Sequence, residues 1–121
     1  MGKLKTWKNG RLGGIDWRKV ELKGELSTEK FSALRYLDCS FNDLRSLDVT
    51  KNTALTDLSC YGNHSQYMTS LDVTKNTALT KLDCHDDQLT SLDVTKNSKY
   101  DVADFMHYST DCNHLRLLSR L

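Results

Sequence analysis

The spacing of apolar residues along the chain sets a period. Leu34, Leu37, Cys39, Asn42, Leu44 and Leu47 form one unit in "LRYLDCSFNDLRSL". The pattern restarts 21 residues later with Leu55, Leu58, Cys60 and Asn63 in "LTDLSCYGN". It restarts again with Leu79, Leu82, Cys84, Asp87, Leu89 and Leu92 in "LTKLDCHDDQLTSL". The step from Leu55 to Leu79 is 24, because His64, Ser65 and Gln66 are inserted after Asn63; Met68 and Leu71 then recover the register. Within a unit, Leu37 and Cys39 alternate with Tyr36, Asp38 and Ser40. That is period two, which predicts a short strand at residues 36–40, 57–61 and 81–85. One strand per coil cannot bury its apolar side alone. Stacked coils bury it together and pair their strands in parallel.

Between the strands one phrase recurs. "LDVTKNTALT" occupies residues 47–56 and again 71–80, and "LDVTKN" occupies 92–97. Leu47, Val49 and Leu55 are predicted to point inward. Asp48, Thr50, Lys51 and Asn52 are predicted to make a polar return turn, where Asp and Asn favour tight local hydrogen bonds. A phrase repeated in every coil is scaffold, so recognition is expected on the strand side. Asn42 and Asn63 are predicted to turn inward and bond backbone groups that the coil leaves unpaired. Asp87 takes that place in the third coil, and a carboxylate there lacks the amide donors, which predicts a local weak point.

Leu12, Ile15, Trp17, Val20 and Leu22 fit the same spacing one step of 22 before Leu34, with Val20 in the Asn position. The chain is therefore expected to divide into an N-terminal cap and degenerate first coil at 1–33, coils at 34–99, and a non-repeat C-terminal cap or tail at 100–121. By register, residues 100–105 should read as another rung; they read "YDVADF", and no Asn or Leu follows on schedule. Leu115, Leu117, Leu118 and Leu121 cluster, which suits a cap helix. The same stretch also suits the tail of a truncated or frameshifted gene, and both readings stay open.

A period of 20–29 residues with this spacing is a leucine-rich-repeat signature. The units "ALRYLDCSFNDLRSLDVTKN" and "ALTKLDCHDDQLTSLDVTKN" resemble bacterial leucine-rich-repeat proteins built on L-x-x-L-x-C-x-x-N-x-L-T-x-L-D-V-S-x-N. The resemblance is strong over 34–97 and weak over 10–33. It implies an α/β-type repeat solenoid: a short stack with one parallel strand per coil and an irregular convex side. It also implies a bacterial secreted or surface-displayed protein that binds other proteins. The basic start "MGKLKTWKNGRLGG" lacks the apolar run of a signal peptide, so a cytoplasmic location stays open beside it.

Composition narrows the choice of partner. A chain of 121 residues makes one domain. A net charge of +1 supplies no global field for nucleic acid, and no apolar stretch is long enough for membrane insertion. Residues 1–30 hold eight Lys or Arg against four acids, and residues 31–97 hold six against nine, so a basic edge adjoins a mildly acidic middle. The absence of proline removes any Pro-rich ligand motif.

Candidate chemistry is sparse. Cys39, Cys60 and Cys84 share one register position and should stack inward, where a thiol packs as a small hydrophobe. Zinc would require close ligand pairs such as C-x-x-C, which the sequence lacks. Cys112 stands outside this column. His64, His85, Asp57, Asp83, Asp86 and Asp87 carry the donors a divalent cation takes, and they equally suit a solvated polar face. No nucleophile, base and orienting residue fit a hydrolase pattern, and "GRLGG" is too loose for a phosphate loop. The expectation is a non-catalytic module with no cofactor and no metal. Its concave face would carry Arg35, Tyr36, Asp38, Asp57, Tyr61, Lys81, Asp83 and His85, with Phe41 at the rim, and would bind a protein or peptide as a monomer. The alternative is a structural remnant or fragment of a longer leucine-rich-repeat surface protein with no binding activity of its own.

Overall fold

The computed structural model describes residues 4–8, 11–63, 68–84, 87–97 and 116–118; for 4–8, 11 and 116–118 it describes the backbone alone. In chain order the strands are β1 (Leu4–Lys8), β2 (Arg11–Asp16), β3 (Lys23–Ser27), β4 (Tyr36–Asp38), β5 (Asp43–Asp48), β6 (Asp57–Ser59), β7 (Lys81–Asp83), β8 (Ser91–Asp93) and β9 (Arg116–Leu118). A five-stranded sheet runs in the order β1-β2-β4-β6-β7. From β2 onward its pairs are parallel, with Ile15, Leu37, Leu58 and Leu82 side by side. The apolar period causes this register, because only in-register stacking places all four of these side chains inside. All four are buried.

Backbone bonding continues past the strand ends. Trp17 N–H donates to the Asp38 carbonyl (2.7 Å), Cys39 N–H to that of Ser59 (2.9 Å) and Cys60 N–H to that of Asp83 (2.9 Å). Trp17, Cys39, Cys60 and Cys84 thereby form one inward column, and the three cysteines are buried thiols. Half-buried Trp17 takes the first place, edge-on to Phe31 at 6.5 Å.

The strands are three residues long where the pattern predicts five, and the cause is local. The Asp38 carboxylate accepts the Ser40 N–H (3.0 Å) and begins a bend. Lys19, Phe41 and Gly62 then share one register position, and all are left-handed, with φ of 53°, 57° and 72°. This twist ends the strand and delivers the next residue inward. Among the described residues there is no helix; the return side is turns and short strands, with β3 parallel to β5 and β8 parallel to β9.

Both ends hold strands that the apolar period did not predict. β1 pairs antiparallel with β2 and occupies one edge of the main sheet. The dipeptide Asn9-Gly10 between them is a hairpin signal in the sequence. β9 lies beside β8 with Leu117 opposite Leu92, so residues 116–118 are strand and not part of a helix. The rung expected at 100–105 and Cys112 lie outside the described residues.

Two polar columns run inside the stack. On the strand side, Asn42 Oδ1 accepts the N–H groups of Val20 (3.1 Å) and Leu22 (3.0 Å). Its Nδ2 donates to the carbonyls of Trp17 (2.9 Å), Cys39 (2.8 Å) and Ser40 (3.2 Å). Asn63 repeats the arrangement, accepting from Leu44 N–H and donating to the Cys39 and Cys60 carbonyls.

The second column corrects the return-turn reading of Asn52, which is fully buried together with Asn76, with Asn97 at 3% exposure. Asn52 donates to the carbonyls of Thr28 and Phe31. Asn76 donates to those of Val49 and Asn52, both at 2.9 Å, and Asn97 to those of Val73 (2.9 Å) and Asn76 (2.8 Å). Asp48, Thr50 and Lys51 remain in the turn, as read. The Asn is inside because carbonyls left free at each bend need a donor in a place water does not reach.

Candidate functional site: the outer face of the strand sheet

Period-two alternation sends every second side chain of β2, β4, β6 and β7 away from the core. Three rows result. Gly14, Tyr36, Asp57 and Lys81 stand side by side in the first, and Asp16, Asp38, Ser59 and Asp83 in the second. Arg18, Ser40 and Tyr61 continue at the bend. Neighbouring strands lie about 5 Å apart, so the rows form one continuous surface.

The expected residues fall as follows. Tyr36 is 39% exposed, Arg35 and Lys81 are exposed, and Asp57, Tyr61 and Asp83 are half-buried. Tyr36, Asp57 and Lys81 are brought together as cross-strand neighbours. Arg35 stands just before β4, where its carbonyl accepts the N–H groups of Thr56 (2.8 Å) and Asp57 (3.0 Å). Asp38 is buried at 6% exposure and serves its neighbours. His85, with His64 and Asp86, lies outside the described residues.

Sequence reading missed the group that organises one end of this face. Arg18 makes a two-point pair with Asp16, Nε to Oδ1 at 3.0 Å and Nη2 to Oδ2 at 2.7 Å. Its Nε also lies 3.5 Å from Asp38 Oδ2. A fork-to-fork pair fixes the guanidinium plane, so Arg18 is a positioned cation and not a swinging one. Its hydrogen bonds to Asp16, and then the charges of Asp16 and Asp38, raise its already high pKa further. Half of its side chain remains exposed. The available signal was the shared register of Asp16 with Asp38, obscured because the first coil departs so far from the others.

Aromatic groups border the pair. Phe41 is 39% exposed and meets Tyr61 edge-on, with centroids 4.7 Å apart. Lys19 Nζ lies 5.0 Å from the Phe41 centroid, within cation–π range. Phe41 covers Gly62, where a Cβ would fall 2.8 Å from Phe41 Cδ1. Burial, then the charge of Asp38, pushes the phenols of Tyr36 and Tyr61 up; Asp16 and Asp57 add to this at Tyr36 and Asp83 at Tyr61, with Arg18 opposing. Both phenols therefore stay neutral donors at physiological pH.

The inner thiols belong to the core. Burial, followed by nearby carboxylates, raises the pKa of Cys39 and Cys60 well above that of an ordinary thiol. They are held as neutral thiols, the form that neither attacks nor ligates. Among the described residues, no three His, Cys, Asp or Glu side chains group as metal ligands.

Parallel coils with Leu, Cys and Asn at fixed inward positions define a leucine-rich-repeat stack, of the kind found in bacterial proteins. The chain is similar to the functional domain of InlJ from Listeria monocytogenes, a structure that includes a cysteine ladder. The two are 42% identical over 63% of this chain, with a TM-score of 0.59. The match spans 16% of the InlJ chain, so this protein corresponds to a small part of that structure's length. No protein-family profile matches, and no curated protein matches.

Proposed function

We propose that the chain is a non-catalytic protein-binding module that uses the outer, concave face of its strand sheet. The supporting observation is the contrast in variety between the two sides of the coil. The strand side presents Gly14, Tyr36, Asp57 and Lys81 in one row, four different residues in four coils. The return side presents Asp48, Asp72 and Asp93 in identical brackets with Thr50, Thr74 and Thr95. Discrimination between partners needs variety and aromatic and Arg anchors, which exposed Tyr36, half-buried Tyr61 and Arg18 supply. The partner is a protein or peptide, because a continuous mixed-charge face suits a surface better than a small substrate. A secreted or surface location follows from the bacterial resemblance; among the described residues no helix is long and apolar enough to cross a membrane.

The test is affinity capture from the native surroundings with wild type and Tyr36→Ala/Tyr61→Ala, each with and without chelator. Capture lost in the folded double variant supports this face. Capture that survives moves the site toward the basic N-terminal edge. Capture abolished by chelator points to a cation at His64, Asp83 and His85.

A second reading has one observation in its favour, the 16% span of the InlJ chain. Under it, this stretch spaces or caps a longer array. Binding by the longer array, with none by this chain alone, would establish that reading.

A further inference from the structure

We propose that two copies of the chain pair edge to edge through β3, antiparallel about Gly24, so that each closes the N-terminal end of the other's stack. The inference stands apart from the binding reading, because it concerns the end of the stack and not the outer face of the strand sheet.

The two ends of the stack are closed differently. At the C-terminal end β9 lies beside β8, and Leu89, Leu92 and Val94 of that coil are buried. At the N-terminal end β1 lies along β2, and Leu12 and Ile15 of β2 are buried. In the rest of the same coil Trp17, Val20, Leu22, Leu26 and Phe31 are only half-buried. Leu47, which stands opposite Leu26 one coil further on, is buried. β3 pairs with β5 on one side, and no strand stands on its other side among the described residues. An open strand edge beside half-exposed apolar side chains is a template for another strand.

The residues of the edge select the occupant. Positions 22–26 read "LKGEL", a palindrome in which the two charges are opposite. Turned antiparallel about Gly24, one copy sets Lys23 opposite the other's Glu25, twice by symmetry, and Leu22 opposite the other's Leu26. Residues directly opposite in an antiparallel pair share a face. Here the faces match: Lys23 and Glu25 are both exposed, and Leu22 and Leu26 are both half-buried. A parallel self-pair would oppose lysine to lysine. Neither Lys23 nor Glu25 is in a salt bridge among the described residues. Gly24 falls on the axis. It stands beside Leu44 of β5, and a Cβ on it would meet nothing within 4 Å among the described residues. A glycine within a strand admits the close approach of a second backbone. The two-stranded sheets then join as β5-β3-β3-β5, and the interface is isologous, so it closes at two copies.

The experiment is the solution mass of the full chain by sedimentation equilibrium over a range of concentrations, with folding checked by circular dichroism. Wild type should form a dimer that dissociates on dilution. Lys23→Glu and Glu25→Lys each turn two attractive pairs into two repulsive ones, and each alone should raise the dissociation constant roughly tenfold or more. Mixed together, the two variants should dimerise as wild type does, because every pair is again opposite. The doubly exchanged Lys23→Glu/Glu25→Lys chain should dimerise alone. Mixing does not rescue a variant that has merely failed to fold. Amide exchange along β3 should slow as the dimer forms. A wild type that stays monomeric at high concentration overturns the proposal: with β3 amides protected, another part of the same chain covers the edge, and with them open, the edge awaits a partner of another kind. Single variants that dimerise as wild type does, or a mixture that stays monomeric, also overturn it.

Discussion

On the strand side, the Asn position reads Val20, Asn42, Asn63, Asp87 from coil to coil; on the return side the inward polar column reads Thr28, Asn52, Asn76, Asn97. Both columns give buried bend carbonyls a donor, but they tolerate change differently. The strand-side amides work at both ends, accepting N–H groups and donating to carbonyls. The return-side amides act mainly as donors. Asn52 Oδ1 takes the Thr28 hydroxyl at 2.6 Å, while Asn76 and Asn97 Oδ1 are buried with no donor among the described atoms. The return column is uniform because its neighbours are the same phrase in every coil. The strand-side column sits behind the face whose outer residues vary, and there Val and Asp also occur.

The largest effects should separate the columns. Asn42→Ala takes the acceptor from the N–H groups of Val20 and Leu22 and the amide donor from the Trp17 carbonyl, and an orphaned buried group costs about 1–3 kcal/mol. Partial exposure of the first coil reduces this, so we expect a loss of about 3 kcal/mol. Asn76→Ala leaves the Val49 and Asn52 carbonyls without their amide donor and relieves one unpaired oxygen, for a loss of about 2 kcal/mol. Urea melts of both variants check the order. Equal losses would mean that the accepting half of Asn42 contributes nothing.

The next effect lies at the rim. Gly62→Ala places a Cβ at φ 72°, a left-handed position costing an L residue about 1–2 kcal/mol, and presses it against Phe41 at 2.8 Å. Lys19 and Phe41 already hold left-handed φ at this position, so the expected loss is near the lower bound, about 1 kcal/mol. Displacement of the Phe41 ring from Tyr61 should appear as a change in near-ultraviolet circular dichroism. An unchanged spectrum would show that the two rings do not depend on Gly62 for their contact.

These comparisons also show what the sequence made legible. Period, parallel register, the cysteine column and Asn42 could be read because apolar spacing repeats, and stacking leaves one way to bury it. Asn52 was misplaced because Asn suits both a solvated turn and a buried bend; only the depth of the bend decides. Asp16 and Arg18 were hidden in a coil where Trp17 and Val20 replace Cys and Asn. β1 was signalled by Asn9-Gly10, a turn cue that apolar spacing does not register. Of the face, cross-strand neighbours such as Asp57 and Lys81 followed from register alone. The burial of Asp38 did not, since it depends on an arginine from another coil.

The smallest effect lies at the exposed brackets of the return side. Asp48 Oδ1 accepts the Thr50 hydroxyl at 2.6 Å and the Thr50 N–H at 2.9 Å. These bonds, first the hydroxyl and then the N–H, hold its carboxyl below the ordinary carboxylate range, with a small addition from Lys51. Folding here favours the charged form. The stabilisation is therefore present above the unfolded pKa of about 4 and lost as pH falls through the depressed folded value. The bracket is exposed, so solvent screening keeps its contribution small. Thr50→Ala should lower the melting temperature by about 1 °C at pH 7. That difference should shrink in acid, below about pH 4, because wild type then loses the bond that the variant never had. A Thr50→Ala difference that grew on acidification would show that the hydroxyl serves the neutral carboxyl and not the charged one.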